Sequence, residues 1–307
     1  MKVSRDIHGA PLCCASVVTI GAFDGLHLGH QAMLSSLVAR ASELGIASAV
    51  VSFEPLPRSY FKQPGLLRIL SVRKKLQLLQ LSGIEHLLIL RFNQALAAMT
   101  PEAFVERVLV KRLRVVEVWI GADFRFGAKR SGSIDTLRTL GTRFGFSVHE
   151  FAEVKSAGER ISASAVRAAL LTGDFVAAQR QLGRPYRVCA RVQAGQQLGR
   201  TLGFPTANLP WPTDNPLRGI FAVRVSSQHL QRHPAVASLG TRPVVLGVEP
   251  LLEVHLLDFA GDLYGQTLTV EFIAKQRDER NFPDLAALVE QIKLDELQAR
   301  QILASHP

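Results

Sequence analysis

The sequence predicts two domains: an α/β domain with a doubly wound parallel sheet, then a small antiparallel β-barrel with a terminal helix. Up to about residue 184, apolar strands alternate with amphipathic helices, which favours parallel pairing with right-handed crossovers. Beyond that point, short β-like runs follow one another, separated by turns rich in Gly, Pro and Asp. A length of 307 residues also favours two domains over one. We therefore expect domains over residues 1–184 and 185–307.

The first strand, over residues 15–20, leads into a glycine-rich turn and a helix with a helical repeat of apolar residues. A second strand is expected over 47–53, after Gly45 ends that helix. The remaining expected elements are helices over 72–82, 100–113, 133–144 and 161–171 and strands over 84–90 and 115–121. Because ligands of such sheets bind beyond the carboxyl ends of the strands, the turn after the first strand lies where a ligand is expected.

That turn, residues 21–30, reads Gly-Ala-Phe-Asp-Gly-Leu-His-Leu-Gly-His. Its glycines permit close approach of a ligand to the backbone, and the helix start offers free N–H groups that attract phosphate. His27 and His30 add two donors on one side of the turn, able to stabilise oxygens that gain negative charge. Two histidines with this spacing are, taken alone, more often ordinary surface or core residues. The strand before and the helix after them favour a catalytic function.

Two further stretches are expected at the same edge of the sheet. In the loop 121–127, Asp123 is suited to accept hydrogen bonds from a ribose or base, Arg125 to hold phosphate, and the phenylalanines to pack on a ring. An ordinary turn explains this loop equally well. The stretch 161–167 opens a helix in which hydroxyl caps account for the serines without any function. Arg167, in the first turn of that helix, is the residue that suggests a ligand.

Composition restricts the possible partners. The formal net charge of +10 comes from 36 basic and 26 acidic residues that are dispersed along the chain, so anionic small substrates are favoured over nucleic acid. The three cysteines, two of them adjacent, have no metal-ligand spacing and fit a reducing compartment. Asp6 and His8 interrupt the start of the only segment that resembles a signal peptide. We expect a cytoplasmic protein with no membrane segment.

The barrel strands are expected over residues 187–193, 221–226, 236–239, 252–257 and 268–273. A final helix begins near residues 283–284 and is expected to pack on the barrel through one apolar face, formed by Leu285, Leu288, Val289 and Ile292.

The stretch 199–208, Gly-Arg-Thr-Leu-Gly-Phe-Pro-Thr-Ala-Asn, is unusual for a barrel loop, and it lacks the Walker arrangement of phosphate loops. Thr206 and Asn208 supply a hydroxyl and an amide oxygen, the ligand type that magnesium prefers beside nucleotide phosphates. Without context, Pro-Thr-Ala-Asn is simply a turn. Glu253, in the apolar run 251–256, is by itself an ordinary outward-facing strand residue.

The order of these strings resembles the bacterial bifunctional riboflavin kinase/FMN adenylyltransferases, or FAD synthetases, over nearly the whole chain. The string 21–30 on its own resembles the signature of the H-x-G-H nucleotidyltransferases. Residues 53–57, Arg130, Gly132 and residues 182–186 extend the match. The resemblance implies that the barrel phosphorylates riboflavin with ATP to give FMN. It implies that the N-terminal domain then adenylylates FMN with a second ATP to give FAD and pyrophosphate, with Mg²⁺ at the reacting phosphates.

The resemblance also implies roles for single residues. His27, His30 and Arg167 would be the catalytic residues of adenylylation, and Glu253 the base of the kinase. The implied contacts to nucleotide and phosphate are Gly21, Phe23, Asp24, Gly29, Asp123, Arg125, Ser162, Ser164, Gly199, Arg200 and Gly203. Thr206 and Asn208 would hold the metal, and Arg277 and Glu279 would line the flavin side.

The chain departs from the family pattern at a few positions, namely Ala163, Ala190, Phe221, Ser238 and Val244.

Two other interpretations stay open. One is a different adenylyltransferase of this fold, acting on a pantetheine or nicotinamide phosphate with a regulatory barrel, against which Glu253 and the Pro-Thr-Ala-Asn string argue. The other is a nucleic-acid-binding, synthetase-like protein, although no Lys-Met-Ser-Lys-Ser-like string follows the histidine motif. The sequence does not indicate the oligomeric state.

Overall fold

A computed structural model describes residues 1–61, 67–156, 158–195, 199, 202–212, 215, 217–244 and 247–306, with 241–244 and 247–249 described by their backbone only. The chain divides into two compact units, Met1–Pro64 with Leu70–Ala163, and Gly65–Ile69 with Ser164–Pro307. Residues 164–184 therefore pack within the second unit. The functional boundary expected at residue 184 stays a prediction.

The first unit contains a six-stranded sheet in the order β1-β4-β3-β2-β5-β6, in which every pairing is parallel. Its strands are β1 Lys2–Ser4, β2 Ser16–Ile20, β3 Ala47–Glu54, β4 His86–Arg91, β5 Val115–Gly121 and β6 Ser147–Phe151. The predicted α/β class is confirmed. Strand β1 was not predicted, because three partly exposed residues carry no hydrophobic pattern. A two-stranded hairpin follows, with β7 Lys155–Ser156 and β8 Glu159–Arg160.

The helices between these strands are α1 Leu28–Leu44, α2 Pro57–Tyr60, α3 Val72–Leu81, α4 Gln94–Ala97, α5 Pro101–Phe104 and α6 Ile134–Phe144. The short helices α2 and α4 were not predicted, whereas α1, α3, α5 and α6 begin where the sequence predicts them. The helix expected over 100–113 begins as predicted, with the Thr100 hydroxyl accepting a hydrogen bond from the Ala103 N–H. After Phe104 it continues as a π-helix, Val105–Arg112. The apolar spacing does not distinguish the two helix types, since Val105, Val108 and Leu109 are buried in the wider turn as well.

The second unit begins within α7 Ala163–Thr172 and continues through α8 Phe175–Leu182. Six antiparallel strands follow in the spatial order β10-β13-β12-β11-β14-β9. A bridge between Gln193 and Asn208 joins the two ends of this sheet, which makes it a nearly closed barrel. The strands are β9 Arg187–Arg191, β10 Ala207–Pro210, β11 Gly219–Ser226, β12 His233–Val244, β13 Gly247–Leu256 and β14 Thr267–Arg277.

Two expectations for this unit are wrong. Of the turn expected over 205–208, Ala207 and Asn208 belong instead to the strand Ala207–Pro210, which pairs with β13 on one side and is bridged to Gln193 on the other. The last helix, α9 Leu285–Ala304, starts as expected with Asp284 as its cap and packs on the barrel as expected, but the face that packs is not the predicted one, since Leu285 is 59% exposed. Asp295, Ala299 and Leu303 are its buried residues. An ion pair stabilises Asp295 in this position, and a pattern of apolar residues does not reveal that.

Candidate active sites

The turn after β2 adopts a backbone that side chains seldom accept. Phe23 and Leu26 have φ values of 49° and 40°, and Gly25 lies between them at 93°. Non-glycine residues in this region cost energy and concentrate at functional sites. Burial compensates here, since Phe23 and Leu26 are 1% and 2% exposed. The turn is therefore held in one shape, with α1 starting directly after it.

His27 caps α1 through its side chain. Its Nδ1 accepts a hydrogen bond from the His30 N–H over 3.3 Å. In the neutral ring the proton therefore resides on Nε2, which makes Nε2 a donor. Gly29 leaves space for this ring, because a Cβ at that position would lie 3.2 Å from Nδ1. The local sequence thus determines both the place and the tautomer of this histidine.

His30 stacks on His27, with ring centroids 3.8 Å apart and planes 20° apart. Burial, and secondarily the neighbouring His27, lower the pKa of His30 well below its usual value. His30 is therefore neutral at physiological pH. Its Nδ1 is shielded from solvent and has no hydrogen-bond partner within the part of the chain that the structure describes. The two rings lie together at the start of a helix, and the His30 ring is uncharged.

The neighbouring predicted contacts support the turn. Asp24 is 3% exposed, and its Oδ1 accepts a hydrogen bond from the Leu70 N–H over 3.2 Å. The Phe23 ring lies 4.9 Å from the His30 ring, and a Cβ at Gly21 would lie 3.1 Å from that phenyl ring. These residues hold the histidines in place. Their direct contact with a nucleotide stays a prediction.

The loop after β5 borders a cavity of 460 Å³ that was not predicted from the sequence. Arg125 lines it, whereas Asp123 is exposed and forms an ion pair with Arg160 that lowers the pKa of the Asp123 carboxyl. Aromatic residues from several elements form much of its wall, namely Phe53, Phe61, Phe92, Phe104, Phe124 and Phe126, and further basic residues are Arg58, Lys129 and Arg130. Phe124 and Phe126 belong to the loop whose phenylalanines were expected to pack on a ring, whereas only the long-range packing of the sheet brings the other four rings to them.

The remaining residues predicted for adenylylation lie around the start of α7. Ser162 precedes the helix, and Ser164 is exposed in its first turn. Arg167 belongs to the second compact unit, where its Nε donates a hydrogen bond to the Leu67 carbonyl over 2.8 Å. The roles of these three residues in adenylylation stay predictions.

In the second unit, a cavity of 470 Å³ brings most of the predicted kinase residues together. Asn208 on β10, Glu253 on β13 and Ser238 on β12 are directly opposite one another across three neighbouring strands. Cross-strand partners point to the same face and lie about 5 Å apart at Cβ. The predicted residues that line this cavity are Gly199, Thr206, Asn208, Glu253, Arg277 and Glu279. Gly203 lies nearby at φ 89°, and Arg200 lies outside the described residues.

Two glycines make close contacts with the predicted metal ligands. A Cβ at Gly195 would overlap the Asn208 amide, and a Cβ at Gly199 would overlap the Phe204 carbonyl and lie 3.5 Å from the Thr206 hydroxyl. The backbone therefore lies directly against Asn208, which is only 4% exposed. This contact of Gly195 was not predicted from the sequence, because its partner is known only from the fold.

Charged groups surround the far side of this cavity. Arg277 donates from Nε and Nη2 to the two oxygens of Asp295 on α9, at 2.8 and 2.6 Å. Partial burial, with a smaller contribution from Glu253, raises the pKa of Glu279, although Arg218 and Arg277 act in the opposite direction. Glu279 thus lies close enough to Glu253 for their charges to interact.

A second cavity of 370 Å³ shares Thr206 and Asn208 with the first. Its other wall comes from the loop after β13, with Phe259, Asp262 and Tyr264. This cavity was not predicted from the sequence either. Thr206 and Asn208 therefore line both cavities, one of which contains the carboxylate of Glu253 and the other two aromatic rings.

These features define a class of protein: a nucleotide-dependent transferase with a histidine pair at a helix start in one unit and oxygen ligands beside a carboxylate in the other. Family models for FAD synthetase and riboflavin kinase match residues 12–165 and 182–303. The chain belongs to the family of bifunctional riboflavin kinase/FMN adenylyltransferases, which confirms the resemblance found in the motifs.

Individual relatives agree with this assignment. The chain is 43% identical to the bifunctional riboflavin kinase/FMN adenylyltransferase of Pseudomonas fluorescens, over 99% of this chain and 98% of that protein. It is 41% identical to the Escherichia coli protein of that name, over 98% and 97% of the two chains. A crystal structure described as a macrolide-efflux protein from Streptococcus pneumoniae shares the fold, with a TM-score of 0.80 and 29% identity over 97% of this chain and 98% of that chain. Within the described ranges, no helix is long and apolar enough to cross a membrane.

Proposed function

We propose that the second unit transfers the γ-phosphate of ATP to the 5′-hydroxyl of riboflavin, and that the first unit transfers the adenylyl group of a second ATP to the FMN produced. The observation that carries the kinase assignment is the direct cross-strand pairing of Asn208 with Glu253 at a point where two cavities meet. A phosphate held at Asn208 would face the acceptor hydroxyl beside Glu253.

The two cavities of the second unit match the two substrates. The larger one holds riboflavin beside Glu253, with Arg277 and Glu279 on its wall. The smaller one holds the adenine, between Phe259 and Tyr264. Glu253 accepts the proton of the hydroxyl as its oxygen bonds to the γ-phosphorus and the bond to the β-phosphate oxygen breaks. General-base assistance of this kind contributes about 10²–10⁴ in rate.

Thr206 and Asn208 would hold Mg²⁺. Their hydroxyl and amide oxygens are ligands that this ion accepts, and Mg²⁺ commonly combines one or two protein ligands with substrate phosphates. The close approach of Gly195 to the Asn208 side chain fits such a site, because any larger residue at position 195 would overlap the amide. When bound, the ion supplies charge neutralisation of the phosphates. Within the described residues, no group of three or more His, Cys, Asp or Glu side chains is arranged to hold a metal.

In the first unit, the FMN phosphate oxygen attacks the α-phosphorus of ATP, and the bond to the β-phosphate breaks to release pyrophosphate. His27 and His30 donate hydrogen bonds to oxygens that gain charge in this step. No covalent intermediate with the protein is required, so positioning and charge stabilisation account for the catalysis. The neutral state of His30 fits a donor that is not consumed as an acid.

The aromatic cavity of the first unit would bind the flavin of FMN. Its phenylalanines offer flat apolar surfaces for an isoalloxazine ring, and Arg58, Lys129 and Arg130 offer charge for the phosphate.

The free state of the three cysteines in the structure is consistent with work in the cytoplasm.

An acceptor comparison tests the proposal. Purified protein is given ATP, Mg²⁺ and either FMN, phosphopantetheine or nicotinamide mononucleotide, and pyrophosphate release is followed. We expect release with FMN alone. Release with another acceptor and none with FMN would favour the alternative adenylyltransferase, and salt-sensitive RNA binding without flavin turnover would favour the synthetase-like interpretation.

A further inference from the structure

His255 connects the C-terminal helix to the string that carries the predicted magnesium ligands. Its Nδ1 lies 2.8 Å from the carbonyl oxygen of Pro205, and its Nε2 lies 2.8 Å from Oε1 of Glu296 on α9. Pro205 immediately precedes Thr206. The side chains of His255 and Glu296 are only 14% and 22% exposed, so water competes little for these hydrogen bonds.

The chemistry of these atoms determines the direction of the hydrogen bonds. A peptide carbonyl can only accept, so Nδ1 of His255 carries a proton and donates it to Pro205. Nε2 faces the Glu296 carboxylate. The hydrogen bond there needs one proton, carried by either Nε2 or the carboxyl group. Both nitrogens of the imidazole are therefore held, so the ring cannot rotate about its Cβ–Cγ bond.

The ring also packs on the residue before Pro205. The Phe204 ring meets it edge-on, with centroids 5.7 Å apart and planes 75° apart. Glu253 lies two residues before His255 on β13, so both side chains lie on the same face of the strand. One strand thus carries the predicted base and the residue that fixes the backbone of the metal-binding string.

We propose that His255 is a positioning residue of the kinase site: it fixes the Pro205 carbonyl, and thereby the oxygens of Thr206 and Asn208, and Glu296 holds it in orientation. This inference rests on the proposed kinase function. It assigns α9 a part in MgATP binding beyond its packing on the barrel.

Substitutions that replace one nitrogen at a time separate the two hydrogen bonds. The amide nitrogen of asparagine occupies the place of Nδ1, and that of glutamine the place of Nε2. We expect His255→Ala and His255→Gln to raise KM for MgATP about tenfold, because the hydrogen bond to Pro205 is lost. His255→Asn should recover most of the affinity. Because His255 and Glu296 also line the larger cavity, KM for riboflavin is measured on the same variants, and we expect the change in KM for MgATP to be the larger of the two.

Glu296 offers an independent pair of variants. Glu296→Gln can donate its amide N–H to Nε2 of a neutral His255, so we expect a KM for MgATP close to that of the unmodified protein. Glu296→Ala leaves the ring unsupported and should raise this KM. His306→Ala is the matched control, because the His306 ring also bonds a backbone carbonyl of the second unit, that of Ile302 at 2.9 Å, but lines neither cavity. It should leave KM for MgATP unchanged.

Affinity for Mg-ADP, measured by calorimetry on the same variants, compares their nucleotide binding without turnover. The inference is overturned if His255→Ala and Glu296→Ala bind MgATP and Mg-ADP as the unmodified protein does. It is also overturned if His255→Asn binds no better than His255→Gln. Absence of riboflavin phosphorylation by the unmodified protein would instead overturn the proposed function, while the calorimetric series would still decide the role of His255.

Discussion

Asn208 and Glu253 are direct cross-strand partners of β10 and β13, and their side chains line one cavity. This pairing brings a predicted metal ligand and a predicted base together, although 45 positions separate them in the sequence. The strand β10 exists because its backbone pairs with β13. The kinase site is thus a property of the barrel rather than of either string alone.

Glu253→Gln should nearly abolish riboflavin phosphorylation. The amide retains the shape of the side chain but cannot take the proton, so we expect a loss of about 10²–10⁴ in kcat. Adenylylation of supplied FMN by the same preparation is the internal control and should be unaffected. Normal phosphorylation by this variant would exclude Glu253 as the base.

His30→Ala should have the opposite pattern of effects. Removing one donor to the charged transition state should lower FAD formation from FMN by about 10²–10³, with riboflavin phosphorylation retained. Separate assays of FMN and FAD formation measure both outcomes. A variant that makes FAD at the normal rate would contradict the assignment of the histidine pair.

Gly29→Ala should disturb His27 without removing it. The new Cβ would lie 3.2 Å from Nδ1, so the ring must shift and the capping hydrogen bond must weaken. A displacement of this kind can lower kcat of adenylylation by about 10²-fold. Gly45→Ala is the control: its φ of 64° makes alanine cost about 1 kcal/mol of stability, but nothing lies within 4 Å of the added atom. It should keep full activity.

The lowered pKa of His30 predicts a pH dependence of stability. The unfolded chain takes up a proton at this residue near its ordinary pKa of 6.5, whereas the folded protein does so only at lower pH. Protonation of His30 therefore does not reduce the free energy of unfolding above pH 6.5. Below pH 6.5 the free energy of unfolding falls, by at most about 1.4 kcal/mol per pH unit. Denaturant titrations between pH 7.5 and 5.5 should show a smaller loss for His30→Asn than for the unmodified protein. His229→Asn, which changes an exposed histidine, should show the original slope.

Asp295→Ala should destabilise the second unit. It leaves the Arg277 guanidinium, 20% exposed as a side chain, without its carboxylate, and breaking such a pair costs about 3 kcal/mol. Arg300→Ala removes an exposed ion pair between the same helix and Asp258 and should leave the unfolding midpoint nearly unchanged. Equal midpoints for both variants would show that the Arg277–Asp295 pair does not stabilise α9.

The sequence predicted those parts of the fold that depend on local pattern. The strand Val115–Gly121 and the helix starts at Thr100 and Ser133 follow from apolar runs and hydroxyl caps, and they are where these signals place them. Strand β10 was missed because Pro, Thr and Asn favour turns, and only pairing with β13 overrides that preference.

The sites were predictable to the extent that they reside in one string. His27 and His30 are close together in the chain and stack in the structure. The aromatic cavity of the first unit, and the contact of Gly195 with Asn208, join residues from distant elements, so no spacing rule could indicate them. The polar face of α9 was missed because a buried carboxylate depends on a partner from another element.

The most direct test of the central claim follows the flavins themselves. Unmodified protein is incubated with riboflavin, ATP and Mg²⁺, and riboflavin, FMN and FAD are separated by chromatography over time. We predict that FMN appears first and FAD follows at its expense, and that omission of Mg²⁺ stops both. Failure to form FMN from riboflavin, together with failure to form FAD from supplied FMN, would contradict the account.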